Sequence, residues 1–127
     1  MIFGIGIDTI EVPRIARSIE IYGDQFLHRI FSPEEIRYCA KRPHAAEHFA
    51  ARFAAKEAYA KALGTGVRRG FVWKQVAVFK ELSGRPFIRL LGEMEPRAKR
   101  IIGSDPIIRL SLSHTKENAE AIVAIEV

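Results

Sequence analysis

The chain has 127 residues, of which 48% are hydrophobic and 28% charged, a composition that excludes a disordered protein and fits one compact domain spanning 1–127. Lysine and arginine exceed aspartate and glutamate by 20 − 15 = 5, so we expect an anionic partner: nucleic acid, an acidic protein or a phosphate-rich cofactor. The apolar opening ends at Asp8, too early for a signal peptide or a membrane span, and the single Cys39 allows no internal disulfide, so we predict a cytoplasmic protein.

The first two predicted elements are a strand and a helix. Residues 2–8 predict a short strand in which Gly4 and Gly6 leave room for another backbone or a ligand to approach. The strand is expected to deliver Asp8 at its end. Apolar residues then recur at helical spacing, which predicts a helix over residues 12–22.

Two more helices are predicted before the middle of the chain. The run Ser32-Pro33-Glu34-Glu35 is typical of a helix start, since Ser32 can cap the helix and Glu35 can complete a capping box. That helix should end before Pro43. Residues 45–63 are rich in alanine, the best helix former, and Gly64 follows as a terminator.

The second half of the chain predicts mainly strands. β-branched and aromatic residues favour strands at 71–80 and 87–91, with a turn between them and a short helix at 93–102 after them. Two final strands at 107–113 and 119–127 should form an antiparallel hairpin through a polar connection. The predicted fold class is therefore α+β: a single domain with a mainly antiparallel sheet packed with one long central helix and shorter helices.

Charged residues crowd into the otherwise small and apolar long helix. Glu57 and Lys61 are four residues apart and share one helix face, close to Lys56 and Arg52. This pair could be an exposed salt bridge contributing roughly 0.3–0.5 kcal/mol, or part of a site. Neither this helix nor Gly4-Ile5-Gly6-Ile7-Asp8 decides the question alone.

Four motifs together are more specific than any one of them. They are Gly4-Ile5-Gly6-Ile7-Asp8, Arg52-Phe53-Ala54-Ala55-Lys56-Glu57-Ala58 with Lys61, Gly84-Arg85-Pro86, and Ser111-Leu112-Ser113-His114-Thr115. In content, order and separation they resemble the small holo-(acyl-carrier-protein) synthases, from the first residue to the last strand. The resemblance implies the 4′-phosphopantetheinyl transferase fold. It also implies transfer of 4′-phosphopantetheine from coenzyme A to a carrier-protein serine, with release of 3′,5′-ADP.

The resemblance implies Mg²⁺ as cofactor, held by Asp8 and Glu57, and a catalytic group of Asp8, Glu57 and Lys61. Two carboxylates suit Mg²⁺, which usually binds one or two acids together with substrate phosphates and water. Larger members of the superfamily carry a further acid two residues after the first, where this chain has Ile10. Lys61 is expected to contact phosphate, with lysine, a metal-bound water or a carboxylate acting through water left open as the base.

The resemblance also implies coenzyme A contacts in several segments. Alternatives remain for two of them, because Arg52 could simply flank Lys56 on the helix surface and His114 could hydrogen-bond its own turn. Gly64-Thr65-Gly66 could present amides to phosphate or only end the helix. The implied coenzyme A-binding residues are Arg52, Lys61, Gly84, Arg85, Pro86, Ser113, His114 and Thr115.

The expected macromolecular partners are an acidic acyl carrier protein and, by resemblance, two further copies of the chain in a homotrimer with sites between subunits. Arg14 and Arg17 are candidates for carrier-protein docking, unless they form only a solvated basic face. A small nucleic-acid-binding module is disfavoured because the basic residues are dispersed. A magnesium-dependent phosphohydrolase of a nucleotide cofactor would carry a similar pair of acids and remains an alternative.

Overall fold

The structure, a computed structural model, describes all 127 residues. Its strands form two antiparallel sheets, one of three strands in the order β1-β5-β4 and one hairpin of β2 and β3. This arrangement confirms the expected α+β class. The elements in chain order are β1 (Ile2–Glu11), α1 (Val12–Tyr22), α2 (Asp24–Ile30), α3 (Pro33–Ala40), α4 (Ala45–Leu63), β2 (Val76–Lys80), β3 (Pro86–Leu90), α5 (Met94–Ile102), β4 (Ile107–His114) and β5 (Asn118–Glu126).

The long helix α4 is the centre of the molecule and lies against one face of the three-stranded sheet. It buries 12 of its 19 residues, most of them alanines, so the helix and the sheet approach closely. A Cβ atom at Gly4 would collide with the carbonyl of Ala62, and one at Gly6 would collide with the carbonyl of Ala58. The glycines are therefore needed for β1 to lie directly on the helix backbone.

The start of α3 confirms the predicted capping box. Ser32 Oγ accepts a hydrogen bond from the Glu35 amide at 3.3 Å, and the Ser32 amide donates to Glu35 Oε1 at 2.8 Å. Both residues are buried. Glu35 has a further role inside the molecule, because its carboxylate also pairs with Lys56 of α4.

Helix α2 was not expected from the sequence. It has only seven residues and follows Gly23, whose φ of 54° allows a sharp change of chain direction after α1. Two turns are too short to show a clear apolar period, because such helices depend on tertiary packing rather than on their own propensity. In this case Ile30 is buried, and the ring of Phe26 packs edge-on against Phe31.

Two predicted strand boundaries were wrong. The strand expected over residues 71–80 starts at Val76, after a 3₁₀ turn at Trp73–Gln75, because Lys56 draws the carbonyls of Trp73 and Val76 inward. The first strand continues past Asp8 to Glu11, where it pairs with Asn118 of β5. Asp8 therefore lies within the strand rather than at its end.

The structure contains no helix with both the length and the apolar character required to cross a bilayer.

Candidate active site

Asp8 and Lys61 are brought together by the contact of β1 with α4. The Lys61 ammonium donates to Asp8 Oδ1 at 3.0 Å and to the Ile7 carbonyl at 3.0 Å. The Lys61 side chain is 50% exposed and that of Asp8 15% exposed, so the pair opens to solvent on one side. Lys61 thus pairs with Asp8, and the alternative of an exposed salt bridge between Glu57 and Lys61 is not observed.

Glu57 lies one helical turn before Lys61 and belongs to the same cluster. Burial raises the pKa of the Glu57 carboxyl, and the negative charge of Asp8 raises it further. Lys61 and Arg14 act in the opposite direction. The carboxylates of Asp8 and Glu57 are therefore close enough for their charges to interact, with Lys61 and Arg14 also within range of Glu57.

This pair of acids fits a magnesium ion only as part of a mixed shell. No group of three or more His, Cys, Asp or Glu side chains is placed to hold a metal. Asp8 and Glu57 are two oxygen donors whose repulsion a divalent cation would relieve, and Mg²⁺ commonly takes the rest of its ligands from phosphates and water. The donor set is therefore compatible with the predicted ion, provided that a substrate supplies further oxygens.

A second polar cluster lies around Tyr38 of α3 and was not recognised in the sequence. Three cations surround its ring: the guanidinium carbon of Arg42 is 3.7 Å from the ring centroid, that of Arg52 is 4.3 Å away, and Lys80 Nζ is 5.2 Å away. Burial raises the pKa of Tyr38, but hydrogen bonds and charge from Lys80 and Arg42 outweigh it and hold the pKa below its ordinary value. No carboxylate neutralises this cluster, so it is suited to an anion.

Arg52 is the buried member of this Tyr38 cluster. Only 3% of its surface is exposed, so the alternative that it flanks Lys56 on the helix surface is wrong. One of its terminal nitrogens reaches the His48 carbonyl at 3.4 Å, and its Nε has no hydrogen-bond partner. A buried polar atom without a hydrogen-bond partner, such as Arg52 Nε, is typical of a position where a ligand or water binds.

His114 is connected to the Tyr38 cluster through α4. Its Nδ1 lies 3.0 Å from Glu47 Oε1, and its ring packs edge-on against His48, which in turn packs edge-on against Tyr38. Burial, followed by the charge of His114, lowers the pKa of His48. His114 is the last residue of β4, and its side chain hydrogen-bonds Glu47 rather than its own turn.

The remaining predicted coenzyme A contacts lie in two exposed turns or at the ends of the strands beside them. Thr115 accepts hydrogen bonds from the amides of Glu117 and Asn118, and so shapes the β4–β5 turn. Gly84, with φ of 92°, and Arg85 form the β2–β3 turn. Pro86 pairs with Lys80, which places this turn next to the Tyr38 cluster. Ser113 is exposed and lies opposite Glu120 of β5.

The two clusters are separated within one chain. Arg52, in the Tyr38 cluster, and Lys61, beside Asp8, are nine residues apart on α4, which puts them on opposite faces and about 14 Å apart along the helix axis. In addition, β5 lies between β1, which carries Asp8, and β4, which carries His114. The structure therefore brings together Asp8, Glu57 and Lys61, but leaves Arg52 and His114 in a different place.

The predicted docking arginines lie on α1, which follows β1 directly. Arg14 and Arg17 are both exposed. Arg14 is close enough to Glu57 for its charge to lower the pKa of that carboxyl. Helix α1 therefore borders the acidic cluster.

Residues that the sequence did not single out include Tyr38, Arg42, Lys80 and the partnership of Glu35 with Lys56. The one feature of the sequence that could have indicated the Glu35–Lys56 pair is Lys56 itself, a lysine within an alanine-rich helix. A lysine that is buried in such a helix needs an oppositely charged partner. Tyr38, Arg42 and Lys80 come from different elements and meet only in the folded chain.

The chain is similar over nearly its whole length to known proteins of one family. The profile of the 4′-phosphopantetheinyl transferase superfamily matches residues 4–122. A holo-(acyl-carrier-protein) synthase of Koribacter versatilis is 50% identical over 126 residues, which cover 99% of each chain. The crystal structure of the corresponding synthase of Neisseria meningitidis is similar with a TM-score of 0.87 at 33% identity, over 100% of both chains. That of Bacillus anthracis, in complex with CoA (3′,5′-ADP), has a TM-score of 0.79 at 37% identity and covers 99% of this chain and 97% of its own.

Proposed function

Because the chain belongs to the holo-(acyl-carrier-protein) synthases of the 4′-phosphopantetheinyl transferase superfamily, we infer that it transfers 4′-phosphopantetheine from coenzyme A to a serine of apo acyl carrier protein. The second product is 3′,5′-ADP, which is also named in the Bacillus anthracis complex. The observation that carries this inference is the convergence of Asp8, Glu57 and Lys61 at the β1–α4 contact.

We propose that Asp8 and Glu57 hold Mg²⁺ through their carboxylate oxygens. When bound, the ion would supply positive charge to the phosphate oxygens of coenzyme A. The raised pKa of Glu57 supports this assignment, because two acids that repel each other favour a divalent cation between them. Calorimetry of Mg²⁺ binding in the presence of coenzyme A, with no carrier protein, tests the assignment without any turnover, and heat of binding that persists in Glu57→Gln would contradict it.

Lys61 is proposed to contact the pyrophosphate. Its ammonium is half exposed and held at the mouth of the cluster by only two acceptors, so it can exchange one of them for a phosphate oxygen. A proton must also leave the carrier serine as its oxygen attacks the phosphorus. A carboxylate of the cluster acting through water is the base that best fits a lysine already paired with Asp8.

The Tyr38 cluster is proposed to receive the 3′-phosphate of coenzyme A. Arg42, Arg52 and Lys80 provide three cations without a carboxylate, and Arg52 has a free Nε. The turns adjoining this cluster would then contact the nucleotide, which agrees with the family resemblance. These contacts comprise Gly84, Arg85, Pro86, Ser113, His114 and Thr115.

A homotrimer with shared sites is proposed from two observations. The pyrophosphate and the 3′-phosphate of coenzyme A are attached to one ribose, whereas the two phosphate-binding clusters of one chain lie on opposite faces of α4, about 14 Å apart along its axis. A neighbouring copy could supply the second cluster. The outer sheet face, away from α4, also exposes apolar side chains that no part of the chain covers: Phe3, Ile5, Ile7, Ile107 and Ile122 are 39–61% exposed.

The macromolecular partner is proposed to be an acidic carrier protein that approaches along α1. Arg14 and Arg17 are exposed beside the acidic cluster, where they could guide an acidic helix toward the reacting phosphate. A cytoplasmic location is part of the same proposal. Cys39 remains a buried free thiol, which is common in reducing compartments.

The proposal is tested by incubating the protein with coenzyme A, Mg²⁺ and an apo carrier protein, followed by intact mass measurement of the carrier. A gain of one phosphopantetheine per carrier is expected. Cleavage of coenzyme A without any gain would identify a phosphohydrolase instead. A carrier whose acceptor serine is replaced by alanine serves as the control and should gain nothing.

A further inference from the structure

Tyr38 is the side chain that all three cations of the Tyr38 cluster contact. Arg42 follows α3, Arg52 belongs to α4 and Lys80 ends β2, so three separate elements bring a positive charge to one ring. The two guanidinium groups lie over the ring, and Lys80 and Arg42 also hydrogen-bond the phenol oxygen. The tyrosine thus connects three segments that are far apart in the chain.

The three cations have no carboxylate partner that would hold them together. None of them takes part in an ion pair of the chain, and like charges at this spacing repel one another. The face of an aromatic ring attracts a cation without neutralising it. A ring therefore leaves the charge available to an incoming anion, whereas a carboxylate at the same place would compete with that anion.

Arg52 depends on the ring more than the other two cations do. It is only 3% exposed, and its one hydrogen bond, to the His48 carbonyl, is long at 3.4 Å. A buried charge with so few polar contacts is costly, so its position 4.3 Å from the Tyr38 centroid is a main source of stabilisation. The ring thus keeps Arg52 in place while its Nε stays without a partner.

The Tyr38 ring is itself fixed by packing against α4. His48 packs edge-on against it with ring centroids 6.1 Å apart, and His114 packs edge-on against His48 at 5.0 Å. Burial, followed by the charge of His114, lowers the pKa of His48, so this imidazole is neutral at neutral pH and adds no further repulsion. Cations that are ordered before binding lose less conformational entropy in the complex.

We propose that Tyr38 is a specificity-determining residue: its ring holds Arg42 and Arg52 in position for the 3′-phosphate, and so sets the preference for coenzyme A over dephospho-coenzyme A. These two donors differ only in that phosphate, a monoester with a charge of about −1.5 to −2 at neutral pH. The inference rests on the proposed function, which places the 3′-phosphate at this cluster. Tyr38 acts through the arginines and away from the reacting phosphorus, so it is a positioning residue.

The test compares Tyr38→Leu and Tyr38→Phe with the unsubstituted protein, using coenzyme A and dephospho-coenzyme A as donors. Both donors add the same mass to the carrier, with 3′,5′-ADP or AMP as the second product. Tyr38→Leu should lower the ratio of kcat/KM for the two donors by about tenfold, through a higher Michaelis constant for coenzyme A alone. Tyr38→Phe keeps the ring and should stay within about threefold. A smaller folded fraction would lower both rates equally and leave the ratio unchanged.

The matched control is Phe79→Leu, which removes another half-buried ring that lies under an arginine, Arg89 at 5.4 Å. Phe79 precedes Lys80 in β2, so its side chain points to the opposite face of the strand, and the ratio should not change.

Three results would overturn the inference. They are an unchanged ratio in Tyr38→Leu, an equal loss with both donors, and a loss in Tyr38→Phe as large as that in Tyr38→Leu, which would assign the effect to the hydroxyl. The inference would also fail if the unsubstituted protein used both donors equally, although the proposed transfer would then stand. If the unsubstituted protein modified no carrier with either donor, the proposed function itself would fail, which is a distinguishable result.

Discussion

Two lysine–carboxylate pairs on α4 have the same chemistry and opposite surroundings. Lys56 pairs with Glu35 at 2.8 Å with both side chains fully buried, whereas Lys61 pairs with Asp8 at 3.0 Å where the lysine is half exposed. The two lysines are five residues apart, so they point about 140° away from each other around the helix. One pair therefore faces α3 and β2, and the other faces β1 and solvent.

The buried pair has no free hydrogen-bonding capacity. The Lys56 ammonium donates to Glu35, Trp73 and Val76, and the Glu35 carboxylate also accepts from the amides of Ser32 and Val78. Burial lowers the pKa of Lys56 and Glu35 acts against that shift. Such a pair can hold elements together but can bind nothing else.

The open pair can exchange its partners. Lys61 has only two acceptors and water on its remaining side, and Asp8 lies next to a second acid, Glu57. Burial and hydrogen-bond saturation, rather than residue type, thus separate a structural ion pair from a reactive one. This distinction has measurable consequences for turnover and for stability.

The largest expected effect is on turnover when the open pair is broken. Asp8→Ala should lower kcat/KM for phosphopantetheine transfer by about 10³-fold, the loss typical of removing a group that stabilises developing charge. The readout is carrier mass as a function of time. Asp105→Ala, at an exposed acid that pairs with Lys99, is the control and should remain fully active.

The second largest effect is on stability when the buried pair is broken. Lys56→Ala leaves Glu35 buried and unpaired, which should destabilise the protein by about 3–5 kcal/mol. This loss corresponds to roughly 10–20 °C in Tm for a domain of this size. Lys61→Ala should change the free energy of unfolding by no more than about 1 kcal/mol. Urea unfolding measures the free energy of unfolding of both variants. Equal losses in Lys56→Ala and Lys61→Ala would contradict the distinction between the two pairs.

A third prediction concerns the close approach that creates the open pair. The new methyl of Gly6→Ala would collide with the Ala58 carbonyl, so the strand must move away from α4. We expect about 1–3 kcal/mol of destabilisation, together with lost turnover because Asp8 moves with the strand. Thr9→Ala, an exposed position on the same strand, should retain both stability and activity.

The smallest predicted effect is a stability change that depends on pH. The pKa of Glu57 is raised in the folded protein. The protonated carboxyl therefore favours the folded state at pH values below the pKa that Glu57 has in the unfolded chain. This contribution is lost as pH rises through its pKa in the folded protein. Glu57→Gln should therefore raise Tm at neutral pH relative to the unsubstituted protein and not at acidic pH. The gain is at most about 0.5 kcal/mol, because the carboxyl is partly exposed to water.

The matching measurement is Tm across the pH range without ligands, and then with coenzyme A in the presence and absence of Mg²⁺. Added Mg²⁺ should raise the Tm of the unsubstituted protein at neutral pH and leave Glu57→Gln unchanged, because the variant lacks one of the two carboxylates. A Tm advantage of Glu57→Gln that grew toward acidic pH would contradict the direction of the shift.

Local physical chemistry determined much of the fold from the sequence alone. The alanine run of α4 with Gly64 after it, the Ser32 capping box and the final hairpin all follow from propensity and turn chemistry, which act over a few residues. The family was also readable from four short motifs, since their order and spacing are properties of the chain. These motifs identified the acids Asp8 and Glu57 as candidates without showing that they meet.

Which charged residues are locked in buried ion pairs and which are open to solvent depends on the packing of distant segments. The sequence places Lys56 and Lys61 on one helix, but Glu35, Trp73 and Val76, which close around Lys56, come from separate elements. The Tyr38 cluster and the short helix α2 likewise depend on contacts between distant segments. Burial is a property of the assembled core and leaves little local signal in the sequence. A lysine can therefore be held in a buried ion pair at one position and be free to bind a ligand at another.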